Sequence, residues 1–189
     1  MKLHYLLLLP LILVLAAAAS LPGPPADPAS PADTAAVVAG NTRFALELYR
    51  RLRTAEGNLF FSPYSISTAL AMTYAGAGGT TRQQMAETLH FMTDGSKLHP
   101  AFSSLQSQLK GEQEQGALEL SIANALWVEK NFSLLHTFTD LTGRYYEAAV
   151  KQVDCTRDTE KSRRTINAWV EEKTKNKIQE LITPGVLDA

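Results

Sequence analysis

A single cysteine, Cys155, stands among 189 residues, so no intrachain disulfide can form and no cysteine-based zinc cage can assemble. Whatever holds this chain together is packing. Charge of one sign is also missing: 18 Lys and Arg against 19 Asp and Glu leave a formal net charge of -1. That gives no global field for a nucleic-acid polyanion, and nucleic acid is not an expected partner. Catalytic signatures are absent as well. No H-E-x-x-H, G-x-S-x-G or P-loop pattern occurs, and His90, His99 and His136 with one thiol make no recognisable zinc set. The expectation is no enzyme, no cofactor and no metal. Cys155, with no activating His near it in sequence, reads as an inert strand thiol. What remains is 45% hydrophobic, enough to build a core and too much for a disordered chain.

The first residues follow their own grammar. Lys2 gives a positive start, Leu6 to Leu15 an apolar stretch, and Ala16 to Ser20 small residues with A-x-A cleavage sites. Residues 1–19 therefore read as a signal peptide, and the expected location is secreted and extracellular, or periplasm or medium in a bacterium. A membrane anchor is the alternative, weakened by His4, Pro10 and a barely sufficient length; no membrane association is expected once the signal is removed. Residues 20–33 hold Pro22, Pro24, Pro25, Pro28 and Pro31, five of the nine prolines, and read as an extended linker.

Residues 34–189 read as helices first and strands later. From about Thr34 to Arg53, Val37, Phe44, Ala45, Leu48 and Leu52 recur at helical spacing. Ser62 and Pro63 suit N-cap and first helical position for a helix marked by Ile66, Leu70, Thr73 and Tyr74. Thr81 and Gln84 form a capping-box pattern opening a third helix, and a weaker helix is expected over Lys97 to Lys110. Leu118 to Val128 alternates as a strand, with Leu118, Leu120, Ile122, Leu126 and Val128 on one face. Asn124 breaks that apolar face, so its carboxamide either ties to polar groups beneath the sheet or is solvated at a bend. Leu134 to Tyr145 is helix-spaced, Ala148 to Cys155 strand-like, and Asp158 to Leu181 reads as a long amphipathic helix using Ile166, Trp169, Val170 and Ile178. Arg43, Arg50, Arg51 and Arg53 read as a solvated helix face rather than a polyanion site. Asn131-Phe132-Ser133 is a glycosylation sequon just past a strand.

Four runs carry a resemblance. Asn58-Leu59-Phe60-Phe61-Ser62-Pro63-Tyr64-Ser65-Ile66-Ser67-Thr68-Ala69-Leu70, followed by Gly76-Ala77-Gly78-Gly79-Thr80-Thr81-Arg82-Gln83-Gln84-Met85, resembles the amino-terminal signature of the serpin family. Ala123-Asn124-Ala125-Leu126-Trp127-Val128 is similar to the family's second strand of the large sheet. Ile166-Asn167-Ala168-Trp169-Val170, through Thr174 to Ile178, is similar to the helix lying across that sheet. The resemblance implies an α+β fold: the amino-terminal part of a serpin, its helices packed on an incomplete central β-sheet. It places Ser62, Ser65 and Asn124 in the region where family members part their strands, with conformational roles and no catalytic one.

The resemblance also implies inhibition of a serine-type protease, through a reactive loop that is cleaved, acylated and inserted as a new strand. The sequence stops before that loop. The expectation is a fragment, not inhibitory by itself and prone to self-association, with truncation the favoured account and a remainder on a partner chain the other. A secreted, non-inhibitory binding module that uses the helical face is the alternative function.

Overall fold

The computed structural model describes residues 29–54, 56–91, 95–114 and 122–187. The expected signal peptide and most of the linker lie outside them, as do Leu118 and Leu120. Helix α1 runs Pro31–Leu52. It starts three residues earlier than periodicity predicts because Ser30 and Asp33 close a capping box: Asp33 N–H donates to Ser30 Oγ at 3.2 Å, and Ser30 N–H donates to Asp33 Oδ2 at 3.2 Å. Pro31, at the first helical position, has no amide hydrogen to lose. Thr34, Val37, Gly40 and Phe44 form its buried face.

Helix α2 (Pro63–Gly76) begins as expected, with Ser65 N–H donating to Ser62 Oγ at 3.3 Å. Its buried stripe differs from the expected one. Ser67, Thr68, Ala71, Met72 and Tyr74 are buried, whereas Leu70 and Thr73 are exposed. A helix apolar on every side has no single face that periodicity can select, so its packing partners select it. Helix α3 (Gly79–Leu89) takes Gly78 as its N-cap with no side-chain cap. Thr81 therefore sits inside the first turn, and the capping box with Gln84 is not formed.

Helix α4 (Gly95–Glu114) is longer than expected at both ends. It supplies the centre of the core: Leu98, Ala101 and Phe102 pack with Val37 of α1 and with Ala71, Met72 and Tyr74 of α2. Tyr146 closes this cluster from α5 (His136–Tyr146). Helices α1, α2, α4 and α5 thus share one interior, and each of its larger side chains contributes about 1.5–3 kcal/mol on burial.

Strands β1 (Ala125–Glu129) and β2 (Ala149–Val153) pair in parallel, from Ala125 opposite Ala149 to Glu129 opposite Val153, with α5 as the connection. Within the described residues β1 begins at Ala125, after Asn124, and all five of its residues are half-buried. The expected division into a core face and a solvent face is therefore not made. β2 stops at Val153, so Cys155 lies in the turn that follows and not in a strand.

Helix α6 (Thr159–Lys173) is capped by Asp158, whose Oδ1 accepts from Lys161 N–H at 3.1 Å. It ends eight residues short of the expected Leu181. Lys175 and Asn176 turn left-handed, with φ 51° and 61°, and Ile178 N–H donates to Thr174 Oγ1 at 3.0 Å. Ile178 is consequently exposed. Trp169 of α6 meets Trp127 of β1 edge-on, with ring centroids 5.9 Å apart.

Candidate functional site

Asn124 sits where α5 hands the chain to the sheet. Its Nδ2 donates to the Tyr146 carbonyl at 3.3 Å, and its own carbonyl accepts from Ala149 N–H at 3.1 Å. One half-buried residue thereby joins the entry to β1, the end of α5 and the start of β2. Ser62 and Ser65 are exposed on the first turn of α2, their hydroxyls 2.9 Å apart, and the contacts described for them stay within that turn. The structure gives these two a capping role and shows no hydrogen bond between them and Asn124.

Removing the carboxamide should have a measurable cost. Asn124→Leu leaves the Tyr146 carbonyl without its side-chain donor and places a branched apolar group at the seam. The expected loss is about 1–2 kcal/mol in urea unfolding followed by tryptophan fluorescence. A midpoint equal to the parent's would mean that water replaces the amide at no cost.

Behind Asn124, Tyr146 continues the connection inward. Its hydroxyl lies 2.7 Å from His99 Nδ1 in the core. Burial, and then the charge of Arg82, lower the His99 pKa from 6.5 to about 4; burial also pushes the Tyr146 phenol well above its ordinary range. Sequence reading treated His99 only as a failed metal ligand. Its position among Leu98, Ala101 and Phe102 was the available signal of a buried role.

A second polar cluster holds the chain beyond α6. Arg163 donates to Glu160, to Glu180 Oε1 at 2.8 Å and to the Ile182 carbonyl at 2.9 Å. Asn167 Oδ1 accepts from Leu181 N–H at 3.1 Å and Ile182 N–H at 2.9 Å, while its Nδ2 donates to the Ile182 carbonyl at 2.8 Å. Hydrogen bonds from Arg163 and Arg164 hold the Glu160 carboxyl down to about 2. These residues escaped the sequence reading. The visible signal was that Arg163 and Asn167 share a helical face with Ile166 and Val170.

The sheet has two strands among the described residues, and each carries one unpaired edge. An apolar groove of about 370 Å³ runs beside β1, lined in part by Met85, Leu126, Trp127, Leu134 and Phe138. Asn131 is exposed in the turn after β1. Cys155 is half-buried, and its N–H donates to Glu129 Oε2 at 2.8 Å. Among the described residues no three His, Cys, Asp or Glu side chains converge on a metal position, and no helix is long and apolar enough to cross a membrane. The arrangement is suited to pairing and covering chain.

Comparison with known proteins agrees with that architecture. The family described as Serpin (serine protease inhibitor) matches residues 39–189. The chain is 43% identical over 154 residues to leukocyte elastase inhibitor of Bos taurus, covering 80% of this chain and 40% of that protein. It is 42% identical over 151 residues to Serpin B6 of Pongo abelii, covering 78% of this chain and 40% of that one. The structure of ovalbumin from emu (Dromaius novaehollandiae) superposes with a TM-score of 0.70 at 22% identity, over 81% of this chain and 43% of ovalbumin. The chain thus spans about two fifths of the length of the curated relatives it matches.

These relatives correct the expected location. Leukocyte elastase inhibitor and Serpin B6 are intracellular, non-secreted members of their family, and the secreted, extracellular assignment is withdrawn. That assignment rested on the composition of residues 1–19, a short local pattern outside the matched segment 39–189.

Proposed function

The chain belongs to the serpin family, and from that premise we propose that residues 34–189 form the amino-terminal part of a serine-protease-inhibitor architecture. They supply the helical core and two strands of the receiving sheet, while the bait loop lies outside these residues. The observation that carries this reading is the 43% identity with a protein named an elastase inhibitor, over 40% of its length. The partner of the complete architecture is a serine-type protease, elastase being the one named in the relatives. By itself the 189-residue chain is expected to be cleaved by such a protease and not to trap it.

Exchange tests the reading directly. The matching part of the bovine leukocyte elastase inhibitor is replaced by residues 39–189 of this chain, and the chimera is incubated with elastase. A gel-stable adduct is expected. A chimera that melts cooperatively yet is only cleaved would overturn the reading. It would favour instead a non-inhibitory binding role for the helical face, where Val38, Leu46 and Tyr49 of α1 stand exposed.

A further inference from the structure

We propose that His99 is an acid-sensitive latch, tying α4 through Tyr146 and Asn124 to the beginning of the two-stranded sheet, closed when neutral and released when protonated. The geometry is continuous. His99 Nδ1 and Tyr146 Oη are 2.7 Å apart; the Tyr146 carbonyl accepts from Asn124 Nδ2; the Asn124 carbonyl accepts from Ala149 N–H, the first residue of β2. Ala125, the next residue after Asn124, opens β1 opposite Ala149. A change at His99 therefore reaches both strands at their first paired residues.

Protonation acts on this connection in two ways. Burial holds the proton on the Tyr146 phenol, and we assign the closed state to the tautomer in which that phenol donates to an unprotonated Nδ1, with the ring hydrogen on Nε2. An imidazolium carries hydrogen on both nitrogens, so Tyr146 must turn its own hydrogen away into a buried site. The new charge is also poorly received. His99 is 4% exposed. From α5 it faces Tyr145, stacked at 6.3 Å, and Tyr146, edge-on at 5.8 Å. From α2 it faces Tyr74 at 6.3 Å, with Tyr64 of the same helix acting on Tyr146.

The charged groups around it add no welcome. From α3 comes Arg82, a cation already seated 4.4 Å over the Tyr74 ring. From α1, the Glu47 carboxylate lies 3.1 Å from His90 Nε2. On α4 itself Lys97 adds positive charge two residues away. Burial and Arg82 both favour the neutral ring, which fixes the sign. The latch is fully closed above about pH 6.5, and its closure weakens as pH falls from 6.5 toward 4, because the released histidine takes the proton first.

Hydrogen exchange of the 189-residue chain tests this, with rates corrected for the intrinsic pH dependence of amide exchange. Between pH 7 and pH 5, exchange at 125–129 and 149–153 should rise about 20-fold, the ratio set by pKa values of 6.5 and about 4. His99→Gln, which stays neutral and still offers a hydrogen bond, should remove the pH step. Tyr146→Phe should give raised strand exchange already at pH 7, with little further rise on acidification. Glu147→Gln breaks the separate surface pair between Lys110 of α4 and the end of α5 and should leave the step intact. Circular dichroism checks that each variant keeps its helices. If His99→Gln disrupts them, the Glu147→Gln and parent profiles still decide. An undiminished step in a folded His99→Gln chain, a step lost in Glu147→Gln, or no step in the parent would each overturn the latch.

Discussion

Incubated with elastase-like and trypsin-like serine proteases, the 189-residue polypeptide is expected to yield cleavage fragments and no gel-stable adduct. Inhibition by strand insertion needs a cleavable loop and a sheet able to gain the cleaved segment. The sheet described here has two strands, and the chain matches about two fifths of its inhibitory relatives. The same polypeptide is expected to elute as oligomers in size-exclusion chromatography. Phe60 is 97% exposed, Leu135 75% and Phe132 63%. At about 1.5–3 kcal/mol for each such side chain left uncovered, these three forgo about 5–9 kcal/mol, which is the scale of a whole domain's stability. The unpaired edges of β1 and β2 offer a second route to self-association. A gel-stable adduct would contradict the first expectation, and a monodisperse monomer the second.

The legible parts of this fold were those fixed by local chemistry. Ser62 and Pro63 declare a helix start because capping and a missing amide hydrogen are properties of adjacent residues. The caps at Ser30 and Asp158 are of the same local kind and are seen in the structure. Long periodic segments gave α1, α5 and the first part of α6. What escaped depends on contacts distant in sequence. Near Thr174 the one local signal is Asn176, a residue that tolerates the left-handed region; beyond it, Asn167 and Arg163 capture residues 180–182. The buried stripe of α2 was likewise hidden, since Leu70 and Met72 are equally apolar and only neighbouring helices decide which one is covered.

Of the three residues that the resemblance singles out, Asn124 is the one whose described contacts reach other elements. Asn124 stood out because a carboxamide interrupts an apolar face, and it lies at the junction of α5 and both strands. His99 gave only a weak contrast: Leu98, Ala101 and Phe102 flank it, but a histidine inside a helix also reads as solvated. Its role rests on a hydroxyl 47 residues away. Ser62 and Ser65 entered by resemblance, and their described contacts are those of a helix cap. The location differs for the opposite reason: residues 1–19 carry a clear local pattern, but they lie outside the matched segment, whose relatives are not secreted.

Replacing Gly40 by Val should destabilise the helical core by about 3 kcal/mol or more. Gly40 is buried in the middle of α1, a position where glycine ordinarily costs a helix about 0.5–1 kcal/mol relative to alanine. The reason for its presence is the approach of α3. A β-carbon at Gly40 would lie 2.3 Å from the carbonyl oxygen of His90 and 3.3 Å from its carbonyl carbon. That carbonyl cannot simply swing aside. His90 is the left-handed cap of α3, with φ 55° and its N–H returned to the end of that helix, and Phe91 N–H donates to the Ala86 carbonyl at 2.9 Å. Helices α1 and α3 must therefore separate, which opens the packing around Val37 and Leu89. Gly40→Ala supplies the decisive sign: helix propensity alone predicts a gain of about 1 kcal/mol, whereas the close approach predicts a loss. Urea unfolding followed by circular dichroism at the helical band measures both variants. A Gly40→Ala chain more stable than the parent would show that α1 and α3 lie farther apart than this contact requires.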